Sequence, residues 1–166
     1  MAKLIIIRGN SGSGKTTVAK KLQEEFGSNT MLISSDMVRL EMLNVRGVQG
    51  AIQSKDLMIQ LLRYGRRHSE ITILEGILPT DDYRELFEAA VEEYEENIFA
   101  YYYDIPFEET LLRHQTKPDH DRFGEIEMKR WWREKDYLDI ISETKLNKEQ
   151  SLKEVTELIY HNVVNQ

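Results

Sequence analysis

The stretch "KLIIIRGNSGSGKTTVAKKL", residues 3–22, decides the fold. Apolar Leu4–Ile7 run into a glycine-rich loop, after which Val18, Leu22 and Phe26 recur at four-residue steps. A short β run, a tight loop and an amphipathic helix are therefore expected in succession. Gly9-Asn10-Ser11-Gly12-Ser13-Gly14-Lys15-Thr16 fits the pattern G-x-x-x-x-G-K-[ST] in full. Glycines let backbone N–H groups turn inward and approach oxyanions, and the helix that follows aims its positive end at the same point. Lys15 is expected to reach the β- and γ-phosphates of a nucleotide, and the Thr16 hydroxyl to sit on Mg²⁺. The nucleotide contacts are thus expected over Gly9, Asn10, Ser11, Gly12, Ser13, Gly14, Lys15, Thr16 and Thr17. At ordinary residue frequencies such a match arises by chance in under ~1% of chains of this length. The flanking β run and helix make a chance reading weaker still.

The rest of the composition sets bounds. A chain of 166 residues with 40% apolar and 31% charged residues has the size and make-up of one globular domain, expected over residues 1–166. There are no cysteines, which excludes disulfides, thiolate metal sites and cysteine nucleophiles. No apolar run approaches the ~20 residues that span a bilayer, and no cationic leader precedes the first strand, so a cytoplasmic location is expected. A net charge of −7 argues against nucleic acid and anionic membrane as partners. Between Arg113 and Lys135, however, seven Lys/Arg face only five Asp/Glu.

Further β-rich runs occur at 30–33, 71–74 and 98–103, with a weaker one within 139–146. Between them lie helical spacings: Ile52, Met58, Ile59 and Leu62 across roughly 50–67, then Leu86, Ala89, Ala90 and Val91, and last Leu152, Val155, Leu158, Ile159 and Val163. Near-continuous apolar strands alternating with helices predict a doubly wound α/β fold with a parallel sheet buried on both faces.

No N-K-x-D base-reading motif of a GTPase is present, and the strand 71–74 ends in one acid, Glu75, followed by Gly76 rather than in paired acids. With these features the chain resembles the small P-loop kinases, the group of shikimate, gluconate, nucleoside and nucleotide kinases, chloramphenicol phosphotransferase and zeta toxins. The resemblance implies a P-loop NTPase fold with a five-stranded parallel sheet in the order 2-3-1-4-5, flanked by helices and covered by a mobile lid at about 113–135. It also implies ATP and Mg²⁺ as cofactors.

Three features carry the resemblance beyond the loop. In "MLISSDMVRLEML", residues 31–43, Asp36 and Arg39 match a D-x-x-R pattern in which the acid faces the acceptor hydroxyl and the arginine binds substrate. Asp36 can equally cap the helix that follows, and the two roles are compatible. Glu75 ends a buried strand where doubly wound sheets bind ligands. The resemblance implies that it meets Mg²⁺ through water or hydrogen-bonds substrate. In "PFEETLLRHQTKPDHDRFGEIEMKRWWREKD", residues 106–136, Arg113, Lys117 and Arg122 are the lid cations expected to close over the phosphates and exclude water. Lys15, Asp36, Arg113 and Arg122 are the expected catalytic residues. Asp36, Arg39 and Glu75 are expected at the acceptor, and Thr16 and Glu75 at the metal.

Other groups have plainer readings. His114 and His120, near Asp119 and Asp121, lack metal-ligand spacing and read as solvated lid residues. Met128, Trp131 and Trp132 fall at helical spacing, so one indole is expected against the core. Arg63, Arg66 and Arg67 suit a helix C-terminus, with an anion on the acceptor side as the alternative. The expected activity is transfer of the ATP γ-phosphoryl to a hydroxyl or phosphate of a small-molecule acceptor, a nucleoside being the leading candidate. The alternatives are a toxin-type or antibiotic kinase and a nucleotide-dependent switch ATPase. A monomer or homodimer is expected.

Overall fold

The computed structural model describes residues 1–118 and 120–166; Asp119, one of the acids named above, lies outside the described residues. Strand β1 (Lys3–Gly9) leads through the glycine loop into α1 (Lys15–Phe26), and β2 (Thr30–Ser34) into a π-helical turn (Met37–Met42). Helix α2 (Gly47–His68) precedes β3 (Ile71–Gly76), and α3 (Arg84–Tyr94) precedes β4 (Ile98–Tyr103). Next come α4 (Phe107–Gln115), a 3₁₀ turn (His120–Arg122) and α5 (Glu125–Trp131). The chain ends with β5 (Glu143–Leu146) and α6 (Leu152–Val164).

The five strands form one sheet in the order β2-β3-β1-β4-β5, and every pairing is parallel. Alternation along β1 explains why its apolar run is uninterrupted. Leu4 and Ile6 enter a core with Met58 and Leu62 of α2 and Phe87 and Tyr94 of α3. Ile5 and Ile7 enter the opposite core with Val18 and Leu22 of α1 and Val155, Ile159 and Val163 of α6. Leu4 to Ile7 are therefore each buried on one face or the other, which is why that run carries no polar residue. Among the described residues no helix is long and apolar enough to cross a membrane.

The parallel register brings the strand ends into one row. Ser34 of β2 lies beside Glu75 of β3, Ile7 of β1 lies beside the same Glu75, and Gly9 lies beside Tyr103 of β4. The glycine loop leaves β1 from this edge, which is where doubly wound sheets hold ligands.

Two expectations change in the structure. The turn after β2 is π-helical rather than α-helical, and the Asp36 side chain makes no capping bond. Neither indole enters the core: Trp131 is 41% exposed, and Met128 is the buried member of that trio. The rings pack instead on neighbouring aromatics, Trp131 edge-on to Phe123 and Trp132 edge-on to Phe107. Arg63, Arg66 and Arg67 lie near the C-terminal end of α2, as expected, and Arg63 and Arg66 hold Glu93 of α3, by its carboxylate and its carbonyl respectively. They sit at the end of α2 that leads into the start of β3, away from the edge that carries the loop.

Candidate active site

The glycine loop closes on itself. Ser13 Oγ donates to the Asn10 carbonyl at 2.6 Å, and Lys15 Nζ donates to the same oxygen at 2.9 Å. Gly12 has φ +84, and a Cβ there would stand 2.5 Å from the Thr110 carbonyl and 2.9 Å from Met128 Cε, so only glycine fits beneath α4 and α5. Helix α1 begins at Lys15, so the first-turn N–H groups of Lys15, Thr16 and Thr17 have no partner four residues back within the helix and face the loop. The result is an anion-binding concavity with one lysine at its wall.

Lys15 is 7% exposed. Burial pushes its ammonium down to about 8, with Lys117 and Arg8 adding repulsion, while Glu75 and Asp36 hold it partly up. Asp36 from the β2 end and Lys117 from the 113–135 segment both therefore lie within electrostatic range of Lys15. A partly desolvated lysine gains strongly from a phosphate, because the anion replaces the solvation that burial removed.

Beside it stands a cluster of oxygens. Glu75, 2% exposed, accepts on one oxygen, Oε1, from Thr16 Oγ1 at 2.9 Å and Ser34 Oγ at 2.6 Å. Three hard oxygen donors converge here from α1, β2 and β3, a set that fits Mg²⁺ in its preference for carboxylate, hydroxyl and water ligands. Thr16 and Glu75 would hold the metal, with Ser34 fixing the carboxylate. The sequence alone did not single out Ser34. The signal was its register position one strand from Glu75, visible only once the strand order is known.

Asp36 is open to solvent, with 72% of its side chain exposed, and Arg39 Nη2 donates to its Oδ1 at 3.1 Å. The structure thus brings Asp36, Arg39, Lys15, Thr16 and Glu75 to one edge of the sheet.

The 113–135 segment rests on the glycine loop. Arg113 Nη1 donates to the Ser13 carbonyl at 2.7 Å, its Nε pairs with Glu109, and its guanidinium lies over the Tyr103 ring. Asn10 grips the far end of the segment with both ends of its amide. Its Nδ2 donates to the Arg133 carbonyl at 2.7 Å, and its Oδ1 accepts from the Arg133 N–H at 2.8 Å. Arg122 lies on the 3₁₀ turn and is exposed. His114 corrects the expectation of a solvated side chain, being 5% exposed, whereas His120 is exposed and pairs with Asp121.

A buried arginine that the sequence reading passed over anchors this arrangement. Arg8 is fully buried on β1 and pairs with Glu143 at 2.8 Å and Asp136 at 3.1 Å, while lying between the Phe87 and Tyr102 rings. Asp136 also accepts from the Thr80 N–H and hydroxyl. Residues 133–136 therefore form a strap from the glycine loop to the loop after β3. A cation inside an apolar β run is a faint signal in sequence, because its partners lie some 130 residues further along.

These features define a P-loop NTPase fold with a phosphate loop, an oxygen cluster and a covering helical segment. A family model described as an AAA domain matches residues 4–140, and the chain belongs to that family. No curated protein matches the sequence. Among solved structures, the APS kinase of Mycobacterium tuberculosis, determined in complex with AMPPNP and APS, is 18% identical with a TM-score of 0.69, covering 99% of this chain and 98% of its own. A gluconokinase from Sinorhizobium meliloti 1021 is 15% identical with a TM-score of 0.67, covering 98% and 92%. The shikimate kinase of Acinetobacter baumannii, in complex with shikimate, is 15% identical with a TM-score of 0.63, covering 99% and 94%. The fold is that of the small P-loop kinases.

Proposed function

We propose that the chain, acting over residues 1–166 as one unit, is an ATP-dependent phosphotransferase of the cytoplasm that moves the γ-phosphoryl to a small-molecule acceptor. The observation that carries this reading is the convergence of Lys15, the Thr16–Glu75–Ser34 oxygens and Asp36 at one edge of the sheet. Thr16 and Glu75 would hold Mg²⁺, which would supply positive charge to the nucleotide phosphates.

Lys15 and the loop N–H groups hold the phosphates and stabilise the charge that develops during transfer. Asp36 accepts the proton of the acceptor hydroxyl, and Arg39 holds Asp36 in place. As the acceptor oxygen bonds to phosphorus, the bond from phosphorus to the β-phosphate oxygen breaks and ADP leaves. Arg113 and the segment above the loop keep water from competing with the acceptor. The acidic chain and the absence of a basic track favour a nucleoside or similar metabolite over a polynucleotide.

The test is ADP formation in Mg²⁺–ATP with and without pools of nucleosides, sugars and hydroxylated antibiotics. A kinase shows slow basal turnover that one pool stimulates at least tenfold. Turnover unaffected by every pool supports the alternative of a nucleotide-dependent ATPase.

A further inference from the structure

His114 is the feature that this reading leaves unexplained. It sits at the end of α4, one residue past Arg113, with its ring stacked on Phe123 at 4.5 Å. Its Nε2 lies 3.1 Å from the His120 carbonyl and 2.8 Å from the Phe123 carbonyl. Two carbonyls can only accept, so Nε2 must carry a hydrogen and donate. Nδ1 is buried and has no hydrogen-bond partner, the one such side-chain atom among the described residues. An unpaired buried polar atom is costly, a cost that a phenylalanine stacked on Phe123 would not carry. The ring is therefore worth its cost only through what Nε2 holds.

What Nε2 holds is the backbone on both sides of Arg122. That backbone joins α4 to α5, and both helices touch the glycine loop. Thr110 of α4 and Met128 of α5 pack on Gly12, and Arg113 of α4 donates to Ser13. His114 thus ties the 120–123 backbone back to the end of α4, the helix whose Thr110 and Arg113 meet the loop.

We propose that His114 is a positioning residue, a latch that closes the turn between α4 and α5 and so keeps Arg113 and Met128 seated on the phosphate loop. The proposal rests on the kinase reading for its functional consequence but not for its structural one. The latch predicts the Nε2–H tautomer, with a proton slow to exchange. It also predicts that loss of Nε2–H loosens the turn and weakens nucleotide binding through the loop contacts.

The experiment compares wild type, His114→Phe and His114→Gln. Phenylalanine keeps the stack and loses the donor, while glutamine keeps a donor and loses the ring. Tryptic cleavage after Arg122, on the turn itself, reads the latch without reference to activity. We expect cleavage at least tenfold faster in His114→Phe, AMPPNP binding several-fold weaker, and both values intermediate in His114→Gln. Wild-type cleavage in His114→Phe overturns the latch. Faster cleavage with unchanged AMPPNP affinity overturns its coupling to the phosphate loop. If His114→Phe does not fold, long-range ¹⁵N correlation on wild-type imidazole decides. The Nε2–H tautomer with slow exchange supports the latch, and an Nδ1–H or rapidly exchanging ring overturns it. These readouts stand whether or not a phosphorylated product is ever found, so failure of the latch and failure of the kinase reading are distinguishable.

Discussion

Lys15 carries opposite consequences for folding and for catalysis. Its ammonium is depressed to about 8 by burial, against an ordinary value of 10.5. Below about pH 8 the lysine is charged in both folded and unfolded chains, and the nucleotide-free fold bears the full desolvation cost. As pH rises from about 8 towards 10.5 the folded lysine gives up its proton first, and the cost disappears. We therefore expect Lys15→Met to unfold at higher temperature than wild type at pH 7 without nucleotide, by an amount bounded by about 3 kcal/mol. The gain should vanish near pH 10.5, as measured by the difference between paired thermal melts. The same variant should lose at least about a hundredfold in phosphoryl transfer. A second prediction concerns Ser34, whose hydroxyl fixes Glu75 Oε1. Ser34→Ala should weaken Mn²⁺ binding to the ADP complex several-fold, read by electron paramagnetic resonance, while metal-free ADP affinity stays unchanged. Lys15 and Thr16 were legible as candidates in the sequence because the loop motif that singles them out is local spacing. Ser34, Arg8 and His114 were not, because each acts through a partner that only the sheet order or a tertiary contact supplies.

At the scale of elements, the strap at 133–136 joins the two sides of the site. Arg8 pairs with Asp136 and Glu143 from inside the sheet. Removing a buried ion-pair partner leaves an uncompensated charge, and Arg8→Ala should cost about 3–5 kcal/mol in urea unfolding. Asn10→Ala removes both bonds to the Arg133 backbone but no charge. We expect it to cost about 2 kcal/mol, with a raised KM for ATP. Strands and long helices were readable from periodicity, since strands covered on both faces read as near-continuous apolar runs such as Leu4–Ile7. The helix of roughly 50–67 proved to run from Gly47 to His68. The π-helical turn and the strap were not readable, because neither has a period. Trp131 and Trp132 misled for a related reason: helical spacing reports a shared face, and that face packs on Phe107 and Phe123 rather than on the core.

For the whole molecule, sheet order and register create the candidate site by assembling one-residue contributions from α1, β2 and β3 at one edge. Composition and the loop pointed to this architecture, since alternating buried strands and helices have few other ways to bury both faces. No stretch of the sequence carries a comparable motif for an acceptor. Mg²⁺–ATP should bind the folded chain alone, so a hundredfold excess over Kd should add about 3 kcal/mol of stability. A thermal midpoint unchanged by saturating Mg²⁺–ATP would contradict nucleotide binding at the loop. The most direct test of the central claim is mass spectrometry on pooled nucleosides, sugars, nucleotide sugars and hydroxylated antibiotics incubated with Mg²⁺–ATP, using wild type and Asp36→Asn. The account predicts an acceptor that gains one phosphoryl group with wild type and loses that gain with Asp36→Asn. ADP accumulating with wild type while no acceptor gains phosphate would contradict it.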